Sequence, residues 1–168
     1  MSYRSSSAGF TLIELLIIVV LLAIMASFAI PNFKQLTERN ELQSASEELN
    51  AMVQYARSEA VSQRRAISIQ ALKDHDWGKG LSIGVLDSGT IAAPLRKHDG
   101  FRGATLTARE ESAIAELTFT PNGTLLPPTE RTFAICQNGK AEGGRLLRIS
   151  QAGRIQLEPS SKAPPSCY

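Results

Sequence analysis

The sequence predicts an α+β protein, in which one long N-terminal α-helix, its first half transmembrane, packs through its second half against antiparallel β-sheet, with one disulfide. Three observations lead there. Residues 10–30 are an almost unbroken apolar run, residues 42–60 carry apolar side chains at spacings of three and four, and beyond Arg65 the pattern changes to alternation punctuated by Gly and Asn. At 168 residues the chain is long enough for one domain with a sizeable core.

Between Phe10 and Ile30 the only clearly polar side chains are Thr11, Glu14 and Ser27. A helix of that length covers roughly 30 Å, one hydrocarbon core. The residues before it, Met1 to Gly9, are short, polar and Ser-rich, with Arg4 as their only charge, and the small pair Ala8-Gly9 precedes the apolar run. An ordinary signal peptide has its small-residue cleavage site after that run. Arg4 is expected to stay in the cytoplasm, sending the residues beyond Pro31 to the other face. Pro31 lacks a backbone N–H and is expected to kink or locally open the helix.

Past Pro31 the helix becomes amphipathic. Leu42, Ala45, Leu49, Met52, Val53, Ala56 and Ala60 form one stripe, while Glu41, Glu47, Glu48, Arg57 and Arg64 occupy other faces. Such a stripe needs a sheet to cover it, and Met52 and Tyr55 are expected in a core. The helix is predicted from Phe10 to about Ser62.

Short alternating segments follow: Ile67 to Ile69, Leu81 to Val85, Leu106, Leu117 to Thr120, Phe133 to Cys136 and Leu147 to Ser150. Pro121-Asn122-Gly123, Asn138-Gly139, Gly143-Gly144 and Ala152-Gly153 supply the residues that tight turns require, so antiparallel hairpins are expected. Residues 91–103 are weakly patterned and read as a long loop. The tail from Glu158 to Tyr168, with Pro159, Pro164 and Pro165, cannot pair as a central strand.

Cys136 and Cys167 are an even pair in a body placed outside the cytoplasm, which reads as one disulfide. Closing that loop would stabilise the fold by roughly 3 to 4 kcal/mol. Two free thiols or a metal pair are the alternatives, and neither a CxxC spacing nor a neighbouring His supports a metal.

Gly9-Phe10-Thr11-Leu12-Ile13-Glu14, then sixteen uncharged residues and Pro31, resembles the N-terminal signature of type IV pilins and type II secretion pseudopilins. The resemblance implies cleavage by a prepilin peptidase between Gly9 and Phe10 and N-methylation of Phe10. It also implies an assembly role for Glu14, whose carboxylate would meet the new amine of a neighbouring subunit. A carboxylate near a bilayer core costs about 2.5 kcal/mol or more, so it normally marks a function. Glycine before the cut permits the extended, close approach a protease cleft needs. Ala23 stands where many major pilins carry glycine, which suggests a stiffer apolar segment. The expected organisation is a cleaved leader (1–9), a transmembrane and assembly segment (10–33) and a periplasmic pilin-like globular domain (34–168) that includes the helix half 34–62.

Farther on, Trp77-Gly78-Lys79-Gly80 as the start of a strand segment, Phe119 to Gly123 and Arg148 to Arg154 resemble the globular domain of the GspH/FimT group, in particular its FimU-like minor pilins. Membership implies a single-pass inner-membrane protein with cytoplasmic N-terminus that passes into the pilus fibre near its tip, priming or connecting assembly in twitching motility and adhesion. The implied partners are the prepilin peptidase, other minor pilins and the major pilin, the inner-membrane assembly platform and, before assembly, membrane lipid. A minor pseudopilin of a type II secretion system is the alternative reading.

No enzyme is expected. His75 in Asp74-His75-Asp76 and His98 beside Asp99 lie in polar contexts, no catalytic motif is present, and no cofactor or metal is called for. Charge offers a competitor: residues 131–168 carry net +4 and residues 10–130 net −3. A basic end can hold phosphates, and some FimT-like pilins bind DNA through paired arginines after a glycine near the C-terminus. Here Gly153-Arg154-Ile155-Gln156 retains only one of them. Arg145, Arg148 and Arg154 are the candidate DNA contacts, set against a solvated basic face, which is favoured.

Overall fold

A single helix, α1 (Leu12–Gln63), carries both the apolar run and the amphipathic stripe in the computed structural model. The structure describes residues 11–73, 75–91, 93–101, 106–110, 114–137 and 140–159. Two compact units divide the chain, residues 1–37 and 38–168.

In the first unit the large apolar side chains of α1 from Leu12 to Leu36 are exposed. This stretch is long and apolar enough to cross a membrane, and none of its most apolar window is buried within the protein. The helix continues without a break across Pro31. The proline has no N–H to offer the carbonyl one turn back, as is true of any helical proline. One turn earlier, the Ser27 hydroxyl bonds back to the carbonyls of Ala23 and Ile24, both at 2.8 Å.

In the second unit every residue of the predicted stripe, Leu42 through Ala60, is buried. Two antiparallel sheets complete that core. The first is formed by β1 (Ile67–Ala71), β2 (Leu81–Gly84), β3 (Pro94–His98), β5 (Glu116–Phe119) and β6 (Leu125–Leu126), in the order β3-β2-β1-β5-β6. The second contains β4 (Leu106–Glu110), β7 (Arg131–Gln137), β8 (Lys140–Ile149) and β9 (Ile155–Pro159), in the order β4-β7-β8-β9. Alternation aims Ile67, Ile69, Ile83, Leu117 and Phe119 from one sheet, and Phe133, Ile135, Leu147 and Ile149 from the other, into one cluster with the helix stripe. Ser68, buried on β1, is satisfied across the strand pair by Thr118, hydroxyl to hydroxyl at 2.7 Å.

Three local expectations are revised. Residues 91–103 are not simply a loop, because β3 pairs with β2 inside them. That strand is an exposed edge, so the half-buried alternation that betrays a strand is missing. Its Arg96 guanidinium lies 5.4 Å from the Tyr55 ring centroid. Gly143 and Gly144 form no turn between strands: they lie within β8, where the ladder with β7 shifts register, the use of glycine at a bulge. The tail's first residues, Glu158 and Pro159, pair in no central strand, as expected: they end the edge strand β9, a place where proline is tolerated.

Trp77 begins no strand. It opens a short 3-10 turn, Trp77–Lys79, capped by Asp76, whose Oδ1 accepts a 3.0 Å bond from the Gly78 N–H. The indole is fully buried, its ring centroid 4.5 Å from that of Phe133, and its Nε1 donates to the Ile114 carbonyl at 3.3 Å. Asn138 and Gly139 lie outside the described residues.

Candidate functional site

Glu14 stands in the first turn of α1, exposed. Thr11, just before the helix, caps it: Thr11 Oγ1 accepts from the Glu14 N–H at 3.3 Å, and the Thr11 carbonyl accepts from the Leu15 N–H at 3.2 Å. Thr-x-x-Glu is the spacing of a capping box, in which the N3 carboxylate also reaches back to the cap. Thr11 escaped the sequence reading, although that spacing was the available signal. The cap uses the backbone N–H of Glu14, and its carboxylate stands in the first turn, where negative charge favours a helix N-terminus, so a role between subunits has to be separated from this local one. Gly9 and Phe10, the expected processing residues, lie outside the described residues.

Cys136 is fully buried on β7 with Ala134, on the strand face opposite Phe133 and Ile135, and Leu146 packs against the pair. Cys167 lies outside the described residues. Among the described residues no group of three or more His, Cys, Asp or Glu side chains could hold a metal. His75, exposed, takes φ +55°. His98 is tied to α1 by Nε2 to Glu48 Oε1 at 3.1 Å, and its Nδ1 accepts from the Gly100 N–H at 3.2 Å.

The arginines of the basic end do not form a row of free cations. Arg148 is 3.8 Å from Glu130 Oε1 and 3.6 Å from Glu158 Oε2, all three about half exposed. Arg148 and Arg154 line one depression together with those two carboxylates, Ser150 and Gln156. Arg145 is not among its lining residues and sits in the β8 ladder opposite Ile135 and Pro159. Arg154, exposed on the turn before β9, also lines a larger open groove against α1.

That turn is held from below. Gly153 has φ +75° and Gly123 φ +74°, and a Cβ at Gly153 would run into the Gly123 carbonyl oxygen. Arg57 Nε donates to that same oxygen at 2.9 Å, and Leu125 N–H donates to the Gln151 carbonyl at 3.0 Å. The Asn122-Gly123 and Ala152-Gly153 turns, far apart in sequence, are thus stacked on one arginine of the helix.

Comparison with known proteins agrees with this architecture. The model of the type II transport protein GspH family matches residues 45–153, and that of the prokaryotic N-terminal methylation motif matches residues 4–30. A fimbrial protein of Pseudomonas aeruginosa is 32% identical over 111 residues, 63% of this chain and 72% of the relative. A crystal structure of the type IV minor pilin FimU from Pseudomonas aeruginosa strain PAO1 is 86% identical, with a TM-score of 0.74, covering 79% of this chain and 99% of that one. The minor pseudopilin EpsH from the type 2 secretion system of Vibrio cholerae, at 13% identity and a TM-score of 0.55 over 73% of this chain and 99% of its own, shares the fold alone. With its methylation motif, its apolar anchoring helix and a globular unit matched over residues 45–153, the chain belongs to the GspH family and is a FimU-like type IV minor pilin.

Proposed function

We propose that this minor pilin is made as a precursor, cut by the prepilin peptidase between Gly9 and Phe10, and methylated on Phe10. The unburied apolar surface of α1 from Leu12 to Leu36 carries the reading. Apolar area on this scale is stable only in lipid or against other apolar helices, so the same surface serves first as a membrane anchor and then as packing surface in a filament. The N-terminus lies in the cytoplasm and residues 34–168 in the periplasm before assembly. Pro31 loosens the helix where it leaves the membrane, and Cys136 pairs with Cys167.

In this reading the subunit joins other minor pilins and the major pilin through the inner-membrane platform, at or near the tip, where it primes or connects the fibre. Glu14 attracts the amine of a neighbouring Phe10 into register. The pseudopilin reading has less behind it, since its structural relative EpsH is only 13% identical while FimU is 86% identical. The DNA reading is weakened by the carboxylates around Arg148.

Intact mass and N-terminal analysis of the protein from its native membrane, with and without the prepilin peptidase, test the proposal. A mature chain beginning at N-methylated Phe10, present only with the peptidase, is expected. A chain that still begins at Met1 in both cases would leave a plain single-span membrane protein.

A further inference from the structure

The groove between α1 and the turn before β9 has features that neither the core nor the membrane anchor uses. Its volume is about 840 Å³. On the helix side, Gln54, Arg57, Ser58, Val61 and Ser62 recur at one-turn spacing, so they form a single face beside the buried stripe. Arg154 and Ile155 make the opposite wall. Val61 is 49% exposed and Ile155 is half-buried, giving the groove an apolar patch between two guanidinium groups.

No carboxylate lines this groove, and among the described residues none forms an ion pair with Arg57 or Arg154. Among the described residues Arg57 spends only its Nε, on the Gly123 carbonyl, which fixes the stem and leaves the terminal nitrogens of the fork for another acceptor. A planar, pre-oriented guanidinium beside serine hydroxyls suits bidentate capture of an oxyanion. The surroundings select among oxyanions. Glu130 and Glu158 stand in the depression that shares Arg154, so a polyphosphate strand leaving the groove on that side meets negative charge. A single carboxylate next to an aliphatic side chain meets none.

Resting on the minor-pilin reading above, we infer that this groove is a docking notch for an acidic side chain, flanked by an apolar one, of a neighbouring pilin subunit, with Arg57 and Arg154 as its two clamps. It is an interface of the globular unit, additional to the packing of apolar helices. Arg57 has two tasks in it, one toward the Gly123 turn and one toward the partner. Arg154 has only the second, since its side chain is exposed and, among the described residues, its hydrogen bonds are made by the backbone, the N–H donating to Ser150 Oγ at 3.1 Å and the carbonyl accepting from the Ser150 N–H at 2.9 Å. Charge reversal at Arg154 therefore probes docking without touching the fold.

The test uses the full chain in cells lacking their own equivalent subunit, comparing wild type, Arg154→Glu and Arg154→Lys for membrane level and for recovery in sheared pili. At equal membrane level, recovery of Arg154→Glu should fall about tenfold, the effect of turning one desolvated attraction into repulsion, while Arg154→Lys stays within about twofold. A photo-crosslinking residue at Ser62 should yield an adduct with another pilin at a peptide containing Asp or Glu, lost in Arg154→Glu. Unchanged recovery of Arg154→Glu, or an adduct peptide without an acidic residue, overturns the notch while leaving the minor-pilin reading intact. Arg154-dependent binding of duplex DNA by the detergent-solubilised chain overturns it in favour of phosphate. Absence of the wild-type chain itself from sheared pili overturns both readings at once.

Discussion

Arg57 Nε donates a 2.9 Å hydrogen bond to the Gly123 carbonyl oxygen, joining α1 to a turn 66 positions away. The same oxygen lies against the Cα of Gly153 so closely that no side chain fits there. Two turns that look like generic Gly punctuation in sequence are therefore one packed junction.

Gly153→Ala is expected to destabilise the globular unit by about 3 kcal/mol, combining strain at positive φ with a collision against backbone that cannot move aside. Denaturant midpoints of residues 38–168 measure it, and a similar unit of FimU, 86% identical, has been crystallised. A change under about 1 kcal/mol would mean that the two turns separate at little cost.

Trp77→Ala should cost about 3 to 5 kcal/mol, because a fully buried indole packed on Phe133 leaves a cavity and frees the Ile114 carbonyl. Urea unfolding followed by circular dichroism is the appropriate measurement, since the variant removes the protein's single tryptophan.

Glu14 separates into two roles by substitution. Glu14→Gln keeps an N3 side chain able to close the capping box with Thr11 but removes the charge. Both Glu14→Gln and Glu14→Ala should be processed and membrane-inserted, yet recovered in sheared pili at a level about tenfold or more below wild type. Normal incorporation of Glu14→Gln would reduce Glu14 to a helix cap.

Pairing of Cys136 with Cys167 predicts that the unreduced protein takes up no alkylating agent on unfolding, as read by intact mass. Reduction should lower stability by roughly 3 to 4 kcal/mol. Uptake of two alkyl groups without reductant would show free thiols instead.

Elements set by local periodicity were legible without coordinates. The stripe from Leu42 to Ala60 is buried residue by residue as its spacing requires, and β1, β2, β5 and β7 follow their alternation, because each needs only a neighbour three, four or two positions away to declare its face. What the sequence withheld depends on partners remote in the chain. β3 shows no alternation because it is an exposed edge recruited by β2, and Gly143-Gly144 becomes a bulge because β7 supplies the ladder beside it. The division into two sheets is likewise a matter of which strands meet, set by packing against the helix rather than by any one segment.

The candidate sites divide in the same way. Glu14 and the apolar run declared themselves in sequence, since an acidic residue in an apolar helix is conspicuous in one dimension. The net +4 of the C-terminal stretch was also legible, but its meaning was not. Only the folded chain sets Glu130 and Glu158 against Arg148, and brings Arg57 across to Arg154, because charges separate or pair according to distance in space. The sequence by itself determined the helix, its two faces and the strands that alternate. Tertiary structure decided which turns and which arginines stand together, because those contacts are made between residues that no local pattern connects.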